Sequence, residues 1–188
     1  MIDRSGLKLH LESHRPFDDR EAGYCERMLD LLAVPSDPFS RDHFAPGHFT
    51  ASSFVLTPDR TRVLLILHAR LGLWLQPGGH FDPEDDDALA AARREVVEET
   101  GIRDRDLKLY AEGSPLLDVD IHSIPANPAR QEPGHEHFDL RFLLVASSEA
   151  LCAGSDALEA RWVALGEVQD AGTDDSVRRA IRKLGCLL

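Results

Sequence analysis

The chain has 188 residues, enough for one ordinary domain with additional segments, and its 43% hydrophobic and 29% charged residues are typical of a folded globular protein rather than a disordered one. Its formal net charge of -12 repels a phosphate backbone, so we do not expect it to bind a nucleic acid polymer. Three widely spaced cysteines without a CxxC pair, and the lack of a long apolar run, predict a cytoplasmic protein that does not enter a membrane.

The first 47 residues predict an N-terminal helical extension. Hydrophobic residues recur at near-helical spacing between Phe17 and Leu32, and Pro35 follows them. We expect Phe17 and Tyr24 to pack this helix onto the rest of the domain or onto a second subunit. A homodimer is therefore one of the two arrangements left open.

The sequence pattern of residues 48–188 predicts one domain that begins with a β-hairpin. Phe49–Leu56 and Arg62–His68 are rich in β-forming residues and are joined by a turn at Thr57-Pro58-Asp59-Arg60. A helix is predicted over Asp86–Thr100, with Gly101 as its left-handed C-cap. Other strands are predicted near Leu73–Leu75, Leu107–Tyr110, Leu117–His122, His137–Val145 and Arg161–Leu165, with a Pro-rich loop over Ile124–Gly134 and a last helix over Asp174–Leu184. Mixed strands and helices predict an α/β or α+β sandwich.

Three glutamates form a cluster of carboxylates on the predicted helix. Glu95, Glu98 and Glu99 are spaced i, i+3 and i+4, so they share one helix face. A solvated surface held by ion pairs is the ordinary explanation of such a face. However, Arg94 cannot balance three carboxylates, and the preceding loop from Asp82 to Asp87 adds more acids. A hard divalent cation, Mg²⁺ or Mn²⁺, would balance this charge.

The segment from Gly79 to Ile102 resembles the box of the Nudix hydrolase family, G-x5-E-x7-R-E-U-x-E-E-x-G-U, where U is a bulky aliphatic residue. Its second half, from Arg94 to Ile102, matches in full. In the first half, counting back from Arg94 places Asp86 where the family has glutamate, with six residues instead of five after Gly79. If the alignment is shifted by one residue, Asp85 takes the place of that glutamate, with five residues after Gly79.

The resemblance implies a Nudix-type α/β/α sandwich and Mg²⁺- or Mn²⁺-dependent cleavage of a pyrophosphate bond in a nucleoside diphosphate derivative, by attack of water on phosphorus. It implies that Glu98 and Glu99 bind metal and that Glu95 is a ligand or activates the water. Arg94 would orient Glu95 through a hydrogen bond, and Gly79 would offer its carbonyl oxygen to the metal.

Two features of the resemblance stay open at this point. Members of the family take their catalytic base from the box or from a later loop, where Glu132 and Glu136 are the candidates here. The altered first half of the box also allows a second hypothesis, a non-catalytic Nudix-like module that senses a nucleotide or binds a protein. The small-molecule substrate is not encoded in the box, so ADP-ribose, dinucleoside polyphosphates, nucleoside triphosphates and sugar nucleotides are all candidates.

Histidines provide the remaining candidate site residues. His80 directly follows the glycine turn, which predicts contact with a substrate phosphate. His135 and His137 alternate with Phe138 and Leu140, so a strand would place them on a polar face together with Asp139 and Arg141. The pair has three interpretations: substrate contact, a plain polar sheet face and a zinc site. A zinc site needs a third ligand, and the sequence does not show whether His80 or His122 lies close enough to provide it.

Overall fold

A computed structural model describes residues 2–110, 115–151 and 157–188. Within these ranges the helices are Arg4–Ser13 (α1), Asp19–Leu32 (α2), Ala88–Thr100 (α3) and Asp175–Leu184 (α4). The strands are Gly47–Leu56 (β1), Arg62–His68 (β2), Trp74–Leu75 (β3), Gly78–His80 (β4), Leu107–Leu109 (β5), Leu116–Ile124 (β6), His135–Ala146 (β7) and Ala157–Ala164 (β8). The predicted α+β class is therefore confirmed.

All the strands join one mixed sheet built around β1 and β7. These two strands are parallel, with Gly47 beside Glu136 and Leu56 beside Val145. β1 is also antiparallel to β2 and β4, and β7 is antiparallel to β5 and β6. The short β3 and the later β8 both extend the sheet from β2.

Helices cover both faces of the sheet, and β1 is therefore buried along its whole length. Phe49 and Ala51 pack in one cluster with residues of α1, α2 and α3, whereas Phe54 and Leu56 pack with α4. The switch between faces follows the period of two along a strand. The sheet therefore separates α3, which carries the three glutamates, from α4.

The predicted N-terminal helix is present as α2, and a second helix that was not predicted, α1, precedes it. The Asp3 side chain caps α1 by accepting hydrogen bonds from the backbone of Ser5 and Gly6. Leu7 and Leu11 are buried one turn apart. The aspartate cap and this i, i+4 leucine pair are the sequence signals that would have identified α1.

The predicted hairpin and the predicted ends of α3 follow local rules. The backbone N–H of Thr57 donates to the carbonyl of Arg62, 3.0 Å away, and closes the turn between β1 and β2. Gly101 ends α3 with φ of +70°, as the sequence predicted, whereas the helix begins at Ala88, two residues after the predicted Asp86, with Asp87 as its N-cap. No helix in the described part of the chain has both the length and the apolar content needed to cross a membrane.

Candidate active site

The glycine bend at β4 lies directly against α3. A β-carbon added to Gly79 would be 2.5 Å from Oε1 of Glu95, so glycine is needed for this close approach. The backbone N–H of Gly78 donates to Oε2 of Glu99, at 3.0 Å. Two of the three predicted glutamates are thus held on the bend itself.

The three glutamates differ in exposure. Glu99 is buried, and the Glu95 carboxylate is largely covered. Glu98, one turn after Arg94, keeps 54% of its side chain exposed. The cluster therefore has a covered inner side at the bend and an open outer side from which a ligand can approach.

Arg94 connects the acidic loop to the helix. Its guanidinium donates to Glu95 Oε1 at 2.8 Å and to Glu98 Oε2 at 3.2 Å. It also donates to the backbone carbonyl of His80, at 2.8 Å. A further contact is with Asp82, 3.4 Å away. One guanidinium thus fixes the orientation of two glutamates relative to the glycine bend.

Of the two aspartates that could replace the first box glutamate, Asp85 makes the contact with Arg94. Its two carboxylate oxygens lie 3.2 and 3.0 Å from Arg94 nitrogens, and one of them also accepts from the backbone N–H of Asp82. Asp85 is buried, whereas Asp86 is exposed. The spacing of five residues after Gly79 is therefore kept, and the extra residue falls between Asp85 and the start of α3.

Burial and neighbouring charge change the acid–base properties of this cluster. Burial raises the pKa of Glu95, the hydrogen bond from Arg94 lowers it, and the nearby carboxylates of Glu98 and Asp82 raise it again. Although burial lowers the pKa of Arg94, its bonds with Asp85 and Glu95 raise it further, so the guanidinium stays charged. Glu95 is consequently a better proton acceptor than an exposed glutamate.

The structure does not bring Glu136 to the glutamates of α3. Its carboxylate is ion-paired with Arg27 of α2. Glu136 pairs with Gly47 on β1, whereas Gly79 pairs with Ala51, and four residues along a strand correspond to about 13 Å. Glu132, the other candidate, lies in the loop after β6, where Asn127 closes a backbone turn.

His80, His135 and His137 come together on the sheet face opposite α3, and His48 and His122 join them. His48 of β1 lies beside His137 of β7 in the strand register, and His122 of β6 lies on the other side of His137. The ring centroids of neighbouring histidines are 4.8 to 5.4 Å apart. We call these five residues the histidine cluster.

The imidazoles at the centre of the cluster are held neutral. Burial lowers the pKa of His48 and that of His80 to about 4. Burial, assisted by the surrounding imidazoles, lowers the pKa of His137 to about 2. These rings therefore present lone pairs rather than positive charge at neutral pH.

The same sheet face continues into a buried polar network around Asp139. Its carboxylate accepts hydrogen bonds from Thr50, Ser52, Gln76 and Arg141, at 2.7 to 3.3 Å. The alternation in the sequence placed Asp139 and Arg141 on the face of His135 and His137, and the register of β7 confirms this. The sequence did not predict that Thr50, Ser52 and Gln76 would donate to Asp139, because strand pairing brings these residues to its carboxylate.

The donor set at the glycine bend fits a hard divalent cation. The carboxylates of Glu95, Glu98 and Glu99 and the Gly79 carbonyl offer only oxygen ligands, which Mg²⁺ and Mn²⁺ prefer. The contact between Glu95 and the Gly79 backbone leaves no room for a side chain there. The residues present therefore suit the cation that the resemblance implies.

The family of the chain follows from its match to a family model. The model of the NUDIX domain matches residues 47–184, which include β1, the glycine bend, α3 and α4. The chain therefore belongs to the NUDIX domain family.

Individual relatives agree with this family. A curated relative from Lactococcus lactis subsp. cremoris (strain MG1363), named probable DHNTP pyrophosphohydrolase, is 33% identical over 95 residues, covering 50% of this chain and 52% of the relative. The chain thus spans about half the length of that relative. The E. coli dihydroneopterin triphosphate pyrophosphohydrolase has a similar fold, with a TM-score of 0.58 at 19% identity over 74% of this chain and 96% of the other. A C. elegans Ap4A hydrolase in a binary complex gives a TM-score of 0.55 at 17% identity over the same shares of the two chains.

Proposed function

We propose that the protein is a Nudix-type pyrophosphohydrolase, which cleaves a pyrophosphate bond in a nucleoside diphosphate derivative by attack of water on phosphorus. The observation that carries the proposal is the grouping of Glu95, Glu98 and Glu99 at the glycine bend, where Arg94 donates hydrogen bonds to two of them. Carboxylates brought together in this way repel one another unless a cation or a proton intervenes.

Each residue of the group has a proposed role. Glu95, Glu98 and Glu99 would hold Mg²⁺ or Mn²⁺ together with the carbonyl oxygen of Gly79. When bound, the ion would neutralise the diphosphate oxygens and lower the pKa of water. Arg94 is a positioning residue, because its hydrogen bonds fix Glu95 and Glu98 relative to the bend.

We place the proton acceptor at Glu95. Its raised pKa brings its basicity closer to that needed to accept a proton from water. The hydrogen bond from Arg94 leaves its second oxygen to act on the water. Glu136 remains the alternative base from the sequence, and it would have to break its ion pair with Arg27 to reach the site.

Substrate contacts are proposed on the sheet face opposite α3. His80 links the two regions, because its carbonyl accepts from Arg94 while its ring joins the histidine cluster. Half-buried His80 and His137 and buried His135 would line the side of the site that receives the group attached to the diphosphate. This arrangement supports a small-molecule nucleotide substrate.

The relatives suggest which substrates to test first. Two proteins similar to this chain are named DHNTP or dihydroneopterin triphosphate pyrophosphohydrolases, and a third is an Ap4A hydrolase. A panel of these two compounds, ADP-ribose, nucleoside triphosphates and sugar nucleotides covers the classes left open by the sequence. A cytoplasmic location and a homodimer remain predictions from the sequence, and the free thiols of Cys25 and Cys186 are consistent with the first.

The experiment that tests this function is product analysis by chromatography with Mg²⁺ or Mn²⁺. We expect at least one compound of the panel to yield a monophosphate product. The E98Q and E99Q variants change charge with little change in shape, and each should lower turnover at least ~100-fold, since a metal ion contributes several kcal/mol to the stabilisation of the transition state. E26Q, which alters an exposed glutamate of α2, is the matched control and should retain full turnover.

Two results would contradict parts of this proposal. Unchanged turnover in both E98Q and E99Q would remove these residues from the metal site. Calorimetric binding of a panel compound without any product would instead support the non-catalytic, nucleotide-sensing module.

A further inference from the structure

The histidine cluster is larger than substrate contact requires. His48, His80, His122, His135 and His137 come from four adjacent strands and converge on one face of the sheet. Packing several neutral imidazoles together leaves polar nitrogens without water, a cost that apolar side chains at the same positions would avoid.

Three of these rings have the spacing of a metal site. One ring nitrogen from each of His48, His135 and His137 lies within 4.8 Å of those of the other two. Three nitrogens bound to one tetrahedral zinc ion are about 3.3 Å apart, given Zn–N distances of about 2.0–2.1 Å. Rotation of the three side chains would have to close this difference of up to about 1.5 Å.

Hydrogen bonds at the back of the rings orient the nitrogens that would bind the ion. Nδ1 of His48 lies 3.2 Å from the carbonyl oxygen of His43, and Nδ1 of His135 lies 2.8 Å from that of Pro133. A carbonyl only accepts, so both Nδ1 atoms carry the proton and both Nε2 atoms keep a lone pair. Ligating histidines in metal sites are held by their other nitrogen in the same way.

His48 gives the most direct indication that a ligand is expected. Its Nε2 is buried and has no hydrogen-bond partner among the described residues. The residue is only 1% exposed, so solvent does not satisfy this nitrogen. The ring of Phe44 packs edge-on against His48 and His135 and covers them with an apolar surface.

We propose that His48, His135 and His137 bind a divalent transition-metal ion of the zinc type, at a site separate from the carboxylates of α3. Imidazole nitrogens suit Zn²⁺, Co²⁺ and Ni²⁺, whereas Mg²⁺ prefers oxygen. Three protein ligands leave the fourth position of a tetrahedral ion for water or another small ligand. The site does not depend on the proposed hydrolase activity.

The two sites lie on opposite faces of the sheet. Gly79 faces Glu95 on the side of α3, so the next residue, His80, points to the other side. If a substrate reaches this face, His135 and His137 would contact it through the ion rather than directly.

Metal counting on the full-length protein tests the site. The protein is stripped with a chelator, dialysed against micromolar Zn²⁺ in the presence of millimolar Mg²⁺, and analysed by inductively coupled plasma mass spectrometry. We expect one zinc per chain, and a Co²⁺-loaded sample should show the visible absorption of a tetrahedral site. The double variant H135Q/H137Q should bind zinc at least ~100-fold more weakly in a chelator competition, because loss of supporting residues alone costs about 10–100-fold.

Control variants separate this site from the carboxylate site. H10Q removes an exposed histidine of α1, and E98Q/E99Q alters the other face, so both should keep the zinc. Circular dichroism verifies that H135Q/H137Q is folded, and H137Q alone, at a half-buried position, replaces it if it is not. The proposal is overturned if the unaltered protein binds no zinc, if the histidine variants bind it as tightly, or if E98Q/E99Q abolishes binding.

Discussion

Arg94 is the residue through which the acidic loop, the glycine bend and α3 are joined. Its guanidinium donates four hydrogen bonds at these positions: two to the Asp85 carboxylate, one to Glu95 and one to the His80 carbonyl. Bidentate arginine–carboxylate pairs fix geometry more strictly than single contacts. Asp85 is thus the partner that holds Arg94 in place, although it stands outside the group of predicted metal ligands.

The two neighbouring aspartates allow a matched comparison. D85N should destabilise the protein by about 1.5–3 kcal/mol, because a buried hydrogen-bonded charge pair is lost, and should lower kcat through the displaced Arg94. D86N, at an exposed position, should change stability by less than about 0.5 kcal/mol. Urea denaturation and initial rates measure the two effects, and equal behaviour of both variants would contradict the assignment of Asp85.

Among the elements, α4 is attached to the N-terminal helices by a buried ion pair. Nζ of Lys183 lies 2.6 Å from Oε1 of Glu21 on α2. The same carboxylate also interacts with His14, at 2.7 Å, and accepts from the backbone N–H of Val119, at 3.2 Å. These contacts reach from α4 past the edge of β6 to α2.

This ion pair predicts a loss of stability in acid. Burial raises the pKa of Glu21, but the bonds from His14 and Lys183 outweigh it and lower the pKa from 4.5 to about 2. Because the folded pKa lies below the unfolded one, the contribution is complete above about pH 4.5 and is lost as the pH falls towards 2. Its size is about 3 kcal/mol.

Urea denaturation at pH 7 and pH 3 measures this contribution. E21Q should be less stable than the unaltered protein by about 3–5 kcal/mol at pH 7, since it leaves the Lys183 charge buried without its partner. The difference between the two proteins should shrink at pH 3. E12Q, at an exposed position of α1, serves as the control, and a constant difference for E21Q between the two pH values would refute the prediction.

At the scale of the whole molecule, residues 2–47 share a hydrophobic core with the rest of the described chain. Leu7 and Leu11 of α1 and Met28 of α2 are buried in the same cluster as Val119 and Ile121 of β6. The family model begins at residue 47, after these two helices. The extension therefore covers a sheet face that would otherwise be exposed.

A chain of residues 48–188 should be unable to maintain a stable fold. Each fully buried aliphatic side chain contributes about 1.5–3 kcal/mol, so removing several of them costs more than ~5 kcal/mol, comparable to the whole stability of a domain. We expect aggregation or a strongly reduced Tm in size-exclusion chromatography and thermal denaturation monitored by circular dichroism. A monomeric fragment that unfolds cooperatively at the Tm of the full chain would show that the extension is dispensable.

Local sequence was sufficient for the elements whose ends depend on nearby residues. The cap at Gly101, the turn after Thr57 and the shared face of the three glutamates on α3 all involve residues within a few positions of one another. The box from Gly79 to Ile102 is likewise one continuous segment. Its resemblance to the family's box could therefore be seen in the sequence, and the match of the family model to residues 47–184 then showed the family.

Tertiary structure decided the contacts between residues far apart in the chain. Only the parallel register of β1 and β7 places His48 beside His137, and only the packing of α4 brings Lys183 to Glu21. The choice of Asp85 over Asp86 depended on which carboxylate the loop turns towards Arg94. Such contacts follow from strand register and from burial of distant surfaces, which the spacing of residues along one sequence does not specify.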